Sequence, residues 1–211
     1  MDKNRKNWSE FEWERELQRD ERRINSYFNE LPNYIDLPGE EDIIIKKLMT
    51  RPELIPVGKE WPGPFFGGPD DEPEGFFDFG DWRYEKDAGA ILSLQHLASD
   101  WNRCFAADIS ARCFKTGMGI TCLFGKLLSR TVELVSTADD FPALSRCLSK
   151  HICSDINELV GLFRKVKRTH PTGAAYCDSF IAGLLEIREK FVDRLDDNAS
   201  GDDFEDEEDD N

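Results

Sequence analysis

The longest uninterrupted helical pattern in the chain covers residues 88–136, a stretch without a proline. In its first half the apolar residues recur at spacings of three and four, which places them on one face of an α-helix. They are Ile91, Leu94, Ala98, Trp101 and Phe105. In its second half the pattern returns in Ile120, Leu123, Phe124, Leu127, Leu128, Thr131, Leu134 and Val135. The two patterns predict two amphipathic helices, each with a buried face.

Between these patterns lies Lys115-Thr116-Gly117-Met118-Gly119. Two glycines in a helix interior cost roughly 2 kcal/mol relative to alanine. We therefore expect either a tight turn, which would give a helical hairpin, or a kink in one long helix. The residues are compatible with both.

Two more helices follow in the pattern. One is predicted from about Pro142 to His170-Pro171, with a buried stripe of Leu144, Leu148, Ile152, Ile156, Leu159, Phe163 and Val166. The last is predicted from about Gly173 to Leu195, with Phe180, Ile181, Leu184, Leu185, Phe191, Val192 and Leu195 facing inward. Residues 87–195 thus predict an all-α fold, a bundle of about four helices.

Residues 1–55 are expected to form an N-terminal helical arm. Ser9 followed by Glu12 has the spacing of a capping box, and Trp8 with Trp13 has that of a hydrophobic staple. A helix should begin there and end at Pro32, where the ring would break the backbone hydrogen bonds. A short second helix is expected between Gly39 and Pro52.

Residues 56–86 are rich in proline and glycine, which exclude long helices and strands. They also contain too many aromatic side chains for a solvated linker, since each can bury 150–250 Å². These are Trp61, Phe65, Phe66, Phe76, Phe77, Phe79 and Trp82. We expect an irregular strap that either packs along the helices or binds another protein.

The net charge of −16 is concentrated at the two ends of the chain. Residues 196–211 combine ten carboxylates with one apolar side chain, Phe204, and are expected to form a disordered acidic tail. This charge opposes attraction to nucleic acid and to anionic membranes. A protein partner with a basic surface is the expectation for the tail.

The six cysteines fall inside apolar helical patterns and form no C-x-x-C pair. Such cysteines are typical of reduced core residues in a cytosolic protein. The amino terminus leads into a charged helix, so no signal peptide is expected, and no stretch approaches 18 apolar residues. We therefore predict a soluble, cytoplasmic protein that needs no cofactor.

One candidate metal site combines two i, i+4 pairs on different predicted helices. His96 with Asp100 and Cys147 with His151 could supply four zinc ligands, to which Asp155 could be added, because i, i+4 spacing projects two side chains from one helical face. The alternative is that the histidines are ordinary boundary residues of the bundle.

A second candidate is Arg146-Cys147-Leu148-Ser149-Lys150-His151. It resembles the arginine, four-residue, histidine element of the HEPN ribonucleases, which are small helical bundles. The resemblance implies Arg146 and His151 as catalytic residues, although Cys147 stands where that family has a polar residue. The alternative is that Arg146 and Lys150 are solvated on the outer face of the helix.

Together these patterns predict a non-enzymatic protein-interaction module, such as an adaptor or a regulatory subunit. Its partner would be engaged by the arm, the strap aromatics or Phe204 of the tail. The first alternative is a HEPN-like ribonuclease that uses Arg146 and His151. The second is an acidic mimic of nucleic acid, which would inhibit a DNA- or RNA-binding protein.

Overall fold

The protein is described by a computed structural model for residues 8–35, 37–54, 88–104, 113–137, 140–169 and 173–201, with side chains as far as Leu195. The helices are α1 (Glu10–Tyr34), α2 (Glu40–Leu48), α3 (Ala88–Cys104), α4 (Phe114–Thr137), α5 (Pro142–Thr169) and α6 (Ala174–Gly201), with a short 3-10 helix at Pro52–Leu54. These ranges contain no β-strand. The predicted all-α class is confirmed.

The chain divides into two compact units, and the division falls inside α1. One unit comprises the chain up to Arg15 together with Glu85 onward, and the other comprises Glu16–Tyr84. The first turns of α1 therefore group with α3–α6, whereas the sequence analysis placed all of residues 1–55 in one arm.

Helices α4 and α5 of the first unit are antiparallel. Cys113 at the start of α4 lies 3.1 Å from Thr169 at the end of α5, measured from Sγ to Oγ1. Further along, Lys126 contacts Asp155. The last residue of α4, Thr137, accepts a hydrogen bond from the backbone N–H of Phe141 just before α5.

Helix α6 runs antiparallel to both α5 and α3. Lys167 near the end of α5 contacts Asp178 near the start of α6. Between α3 and α6, Trp101 contacts Phe180. Leu97, earlier on α3, lies close to Gly183, later on α6: a Cβ on Gly183 would be 3.2 Å from Leu97 Cδ2. The four predicted bundle helices therefore pack as an up-and-down arrangement.

An aromatic cluster fills the centre of this bundle. Trp101 meets Phe163 edge-on with ring centroids 5.4 Å apart, and Phe163 stacks on Phe180 at 4.9 Å. Phe124 approaches Phe163 at 6.2 Å. The indole N–H of the fully buried Trp101 donates to Thr121 Oγ1 at 2.9 Å. These rings join all four bundle helices in one core.

Two predicted helix ends are wrong, and so is one of the two alternatives at the glycine pair. Gly117 and Gly119 lie inside α4, so the tight turn does not occur there, and Leu162 Cδ1 is 3.5 Å from the position of a Cβ on Gly119. The other alternative, a kink in one long helix, stays a prediction because residues 105–112 lie outside the described residues. Pro32 lies inside α1, because the backbone N–H of Ile35 still bonds to Leu31 one turn earlier. Helix α6 continues past Leu195 to Gly201, since backbone hydrogen bonding propagates beyond the last apolar side chain.

The inward face of α6 also differs from the expectation at one position. Leu185 is 38% exposed, whereas Ile187 is buried. The buried residues Phe180, Leu184, Ile187 and Phe191 keep the three- and four-residue spacing that Leu185 interrupts.

The second unit has a small core of its own. Ile44 and Leu48 of α2 are buried with Leu54 of the 3-10 helix, and three partly buried residues of α1 and its end pack on them. Those three are Tyr27, Leu31 and Tyr34. Arg23 of α1 donates from Nε to the carbonyl of Leu54 at 2.9 Å, which ties the 3-10 helix to α1.

Within the described ranges, no helix has an apolar stretch long enough to cross a membrane. The strap, residues 56–86, lies outside the described residues, and so does Phe204 of the tail.

Candidate functional site: a cleft between the starts of helices α1 and α5

The start of α1 is fixed by two short-range contacts. The Ser9 backbone N–H and hydroxyl donate to the Glu12 carboxylate at 2.9 and 3.0 Å. The rings of Trp8 and Trp13 lie 4.8 Å apart. The predicted helix start at Ser9 and its staple are thereby confirmed. Trp13 is buried and meets Phe141 edge-on at 5.9 Å, which anchors α1 beside the start of α5.

A surface cleft of about 480 Å³ lies between these two helix starts. We call it the α1–α5 cleft and define it by its lining residues Glu10, Phe11, Glu14, Cys147, Lys150, His151 and Ser154. Phe11 is 75% exposed, although it stands two residues before the buried Trp13. The cleft therefore combines an exposed aromatic ring with charged side chains.

Glu10 is the centre of the charges in the α1–α5 cleft. Its carboxylate accepts hydrogen bonds from Arg146 Nε at 2.5 Å and from Lys150 Nζ at 2.8 Å. The hydrogen bond from Lys150, followed by that from Arg146, lowers the pKa of Glu10, although partial burial acts against them. The same hydrogen bond raises the pKa of Lys150. The side chain of Arg146 is 23% exposed and that of Lys150 is 57% exposed, so the alternative of two solvated side chains fits Lys150 and not Arg146.

One turn later, Glu14 pairs with the histidine that follows Lys150. Glu14 Oε2 lies 3.0 Å from His151 Nε2. The side chain of His151 is 16% exposed and that of Glu14 is 37% exposed. Both residues of the arginine, four-residue, histidine element therefore contact a carboxylate of α1.

Cys147 forms the floor of the cleft. It is 2% exposed, and its thiol donates to the Glu10 carbonyl at 3.5 Å. Burial, with the nearby carboxylates of Glu10 and Glu14, raises the pKa of Cys147 to about 11. A thiol with this pKa stays protonated at neutral pH and is then a poor nucleophile.

Four of the five proposed metal ligands contact other groups in the structure: Asp100, Cys147, His151 and Asp155. Asp100 contacts Arg103 at 3.2 Å, and both Asp100 and His96 are exposed on α3. Asp155 is buried between Lys126 and Arg130. In the described part of the chain, no group of three or more His, Cys, Asp or Glu side chains is placed to hold a metal ion.

The three charged residues Lys126, Arg130 and Asp155 form a buried cluster that sequence reasoning did not assemble. Lys126 Nζ lies 2.9 Å from one oxygen of Asp155, and Arg130 contacts the other oxygen. Their side chains are 3%, 8% and 5% exposed, respectively. The sequence does contain a pattern that indicates such a cluster. Lys126 and Arg130 are spaced i, i+4 within an apolar pattern, and a carboxylate lies on the next helix.

The pairing of α1 with α5 was also missed. Glu10 and Glu14 are spaced i, i+4, and so are Arg146 and Lys150. Both cations contact Glu10 in the structure, and Glu14 contacts His151 instead. The sequence alone did not show that residues so far apart along the chain would be neighbours.

Comparison of the chain with protein-family models, curated proteins and solved structures gives no match. The carboxylates and cations of the α1–α5 cleft contact one another across the helix pair. Phe11 is its large exposed apolar group.

Proposed function

We propose that this protein is a non-enzymatic protein-interaction module of the cytosol, an adaptor or a regulatory subunit, which engages its partner at the α1–α5 cleft. The observation that carries the proposal is the exposure of Phe11 at the rim of a cleft whose charged groups are paired. An aromatic anchor surrounded by polar groups is the usual anatomy of an interface hot spot. The expected partner is a protein segment that covers Phe11 with an apolar side chain.

The polar contacts of the cleft join α1 to α5. Glu14 faces His151, and Glu10 faces Arg146 and Lys150. These contacts hold the first turns of α1, which carry Phe11, beside α5.

Cytosolic location is supported by the cysteines. Cys113, Cys122, Cys147, Cys153 and Cys177 are free thiols, and all but Cys122 are buried. Buried free thiols are typical of proteins that fold in a reducing compartment.

A photo-crosslinking experiment in the native cell tests this proposal. A photoreactive phenylalanine analogue replaces Phe11 in the full chain, and in the matched control it replaces Leu92, which is 42% exposed on α3. We expect a discrete cross-linked protein from position 11 that is absent from position 92. In co-purification, Phe11→Asp should lose that protein at least tenfold, whereas Leu92→Asp should retain it.

The proposal is wrong if both positions cross-link the same proteins, or if Phe11→Asp leaves co-purification unchanged. Circular dichroism of each variant separates loss of binding from loss of folding. Cleavage of RNA by the purified wild-type chain, together with its loss in His151→Ala, would instead support the ribonuclease.

A further inference from the structure

One end of the bundle carries a cluster of exposed positive charges, which we call the basic end: Lys115, Arg164, Lys165 and Arg168. Lys115 joins the other three because the contact between Cys113 and Thr169 brings the start of α4 to the end of α5. All four side chains are exposed.

The carboxylates closest to the basic end along the helices are already paired with other cations. Both carboxylate oxygens of Asp178 accept from Lys167 Nζ, at 2.6 and 2.7 Å. Asp100 contacts Arg103 at 3.2 Å. The described turns at this end therefore carry an excess of positive charge, in a chain whose net charge is −16.

Two aromatic side chains are exposed on the same turns. Phe114, next to Lys115, is 44% exposed, and Tyr176, two residues before Asp178, is 62% exposed. A ligand for this surface would combine several carboxylates with an apolar group. Residues 202–211 have this composition, because eight of the ten are Asp or Glu and Phe204 is among them.

The antiparallel order of the helices separates this segment from the basic end of its own chain. Asp178 marks the level of the basic end on α6, and Gly201 lies about 35 Å further along the helix at 1.5 Å per residue. Ten residues span at most about 33–36 Å when fully extended. Only the last residues of the segment could therefore return to the level of the basic end, and Phe204 could not.

We propose that residues 202–211 of one copy bind the basic end of a second copy, so that molecules of this protein associate head to tail. The donor and acceptor surfaces are different, so the contact is heterologous and can continue from copy to copy. The proposal does not depend on the α1–α5 cleft, since none of its residues takes part.

Salt has two opposite effects on this contact. Two copies of charge −16 repel each other, and this repulsion extends over about 30 Å at 0.01 M salt. At 0.15 M it is screened beyond about 8 Å, while carboxylates in contact with Arg164 and Arg168 remain within that distance. Association should therefore be strongest near 0.15 M and weaken at both extremes.

A complementation experiment with two nearly complete chains tests the proposal. One variant ends at Gly201 and keeps the basic end. The other keeps residues 202–211 but carries Arg164→Glu, Lys165→Glu and Arg168→Glu. By sedimentation velocity at 0.15 M salt, each variant alone should be monomeric, and their mixture should form a one-to-one complex that grows no further. In 0.5 M salt the affinity should fall at least tenfold.

A matched control reverses three exposed cations elsewhere, with Arg15→Glu, Arg22→Glu and Lys46→Glu. It should self-associate as the wild-type chain does, although its net charge equals that of the basic-end variant. Absence of a complex in the mixture of the two folded variants would overturn the proposal. Tight binding of single-stranded RNA by the variant that ends at Gly201, with no complex in the mixture, would overturn it in favour of a nucleic-acid surface.

Discussion

Removal of the Asp155 carboxylate should destabilise the bundle more than any other single change of charge described above. Lys126 and Arg130 contact its two oxygens, and all three side chains are at most 8% exposed. Breaking a buried ion pair from one side costs about 3–5 kcal/mol, because the remaining charges stay in a region of low polarity. Domains of this size have a total stability of about 5–15 kcal/mol.

The measurement is urea unfolding of Asp155→Ala, followed by circular dichroism and by tryptophan fluorescence. We expect a loss of about 3–5 kcal/mol and a fall in Tm of roughly 6–20 °C, at about 2–4 °C per kcal/mol. The control is Asp100→Ala, since Asp100 is 54% exposed and pairs with Arg103. Exposed pairs contribute about 0–1 kcal/mol, so the control should stay within that range.

A triple variant separates charge from shape. Lys126→Met, Arg130→Met and Asp155→Leu together replace the cluster with apolar side chains, and such replacements are often neutral or stabilising by about 1–4 kcal/mol.

A loss of stability below about 1 kcal/mol in Asp155→Ala, with an unchanged slope of stability against urea concentration, would refute the reasoning. Such a result would mean that water stabilises the remaining charges, although the three side chains are at most 8% exposed.

Three further predictions concern the α1–α5 cleft. Lys150 and Arg146 lower the pKa of Glu10. The contribution of Glu10 to stability is therefore fully present above the ordinary pKa of a glutamate and is lost as the pH falls through the lowered pKa. In thermal unfolding at a series of pH values, Glu10→Gln should show a smaller loss of stability toward acid pH than the wild-type chain. Because the pKa of Cys147 is about 11, iodoacetamide at pH 7.5 should label this thiol at least tenfold more slowly in the folded chain than in the unfolded chain. Mass spectrometry of the peptide that contains Cys147 gives both labelling rates. Equal rates would show that the thiol is accessible and ionised in the folded chain. His151→Ala should remain folded and lose less of the co-purification of the partner trapped at Phe11 than Phe11→Asp does, because it removes one contact between α1 and α5 and leaves the exposed ring in place; a loss as large as that of Phe11→Asp in a folded variant would give His151 a direct role.

Helix positions were predictable because burial follows the periodicity of apolar residues. The stripes of α4 and α5 are read directly from spacings of three and four, and the start of α1 follows from Ser9 and Glu12. Helix ends were predicted less well, because they depend on backbone hydrogen bonds. The bond from Ile35 to Leu31 carries α1 past Pro32, a contact that no side-chain pattern reports.

The cleft was not predictable from local patterns. Glu10 and Arg146 are 136 residues apart along the chain. The spacing of apolar residues predicts a helix around each of them but does not show that the two helices pack together. The buried cluster of Asp155 was hidden for a related reason. Charged residues in an apolar stripe indicate that a partner exists, but not which helix supplies it.

The docking of α1 on α5 also has a consequence for the order of folding. The contact of Arg130 with Asp155 closes a loop of 25 residues, whereas that of Arg146 with Glu10 closes one of 136. The longer loop costs about 1.5 kcal/mol more in chain entropy, since closure scales with the logarithm of length. We therefore expect α4 and α5 to pair early and the first turns of α1 to join the bundle last. In native-state hydrogen exchange, the amides between Trp13 and Arg15 should open at a lower free energy than those around Ile156, so the rim that carries Phe11 would be the first part of the bundle to detach.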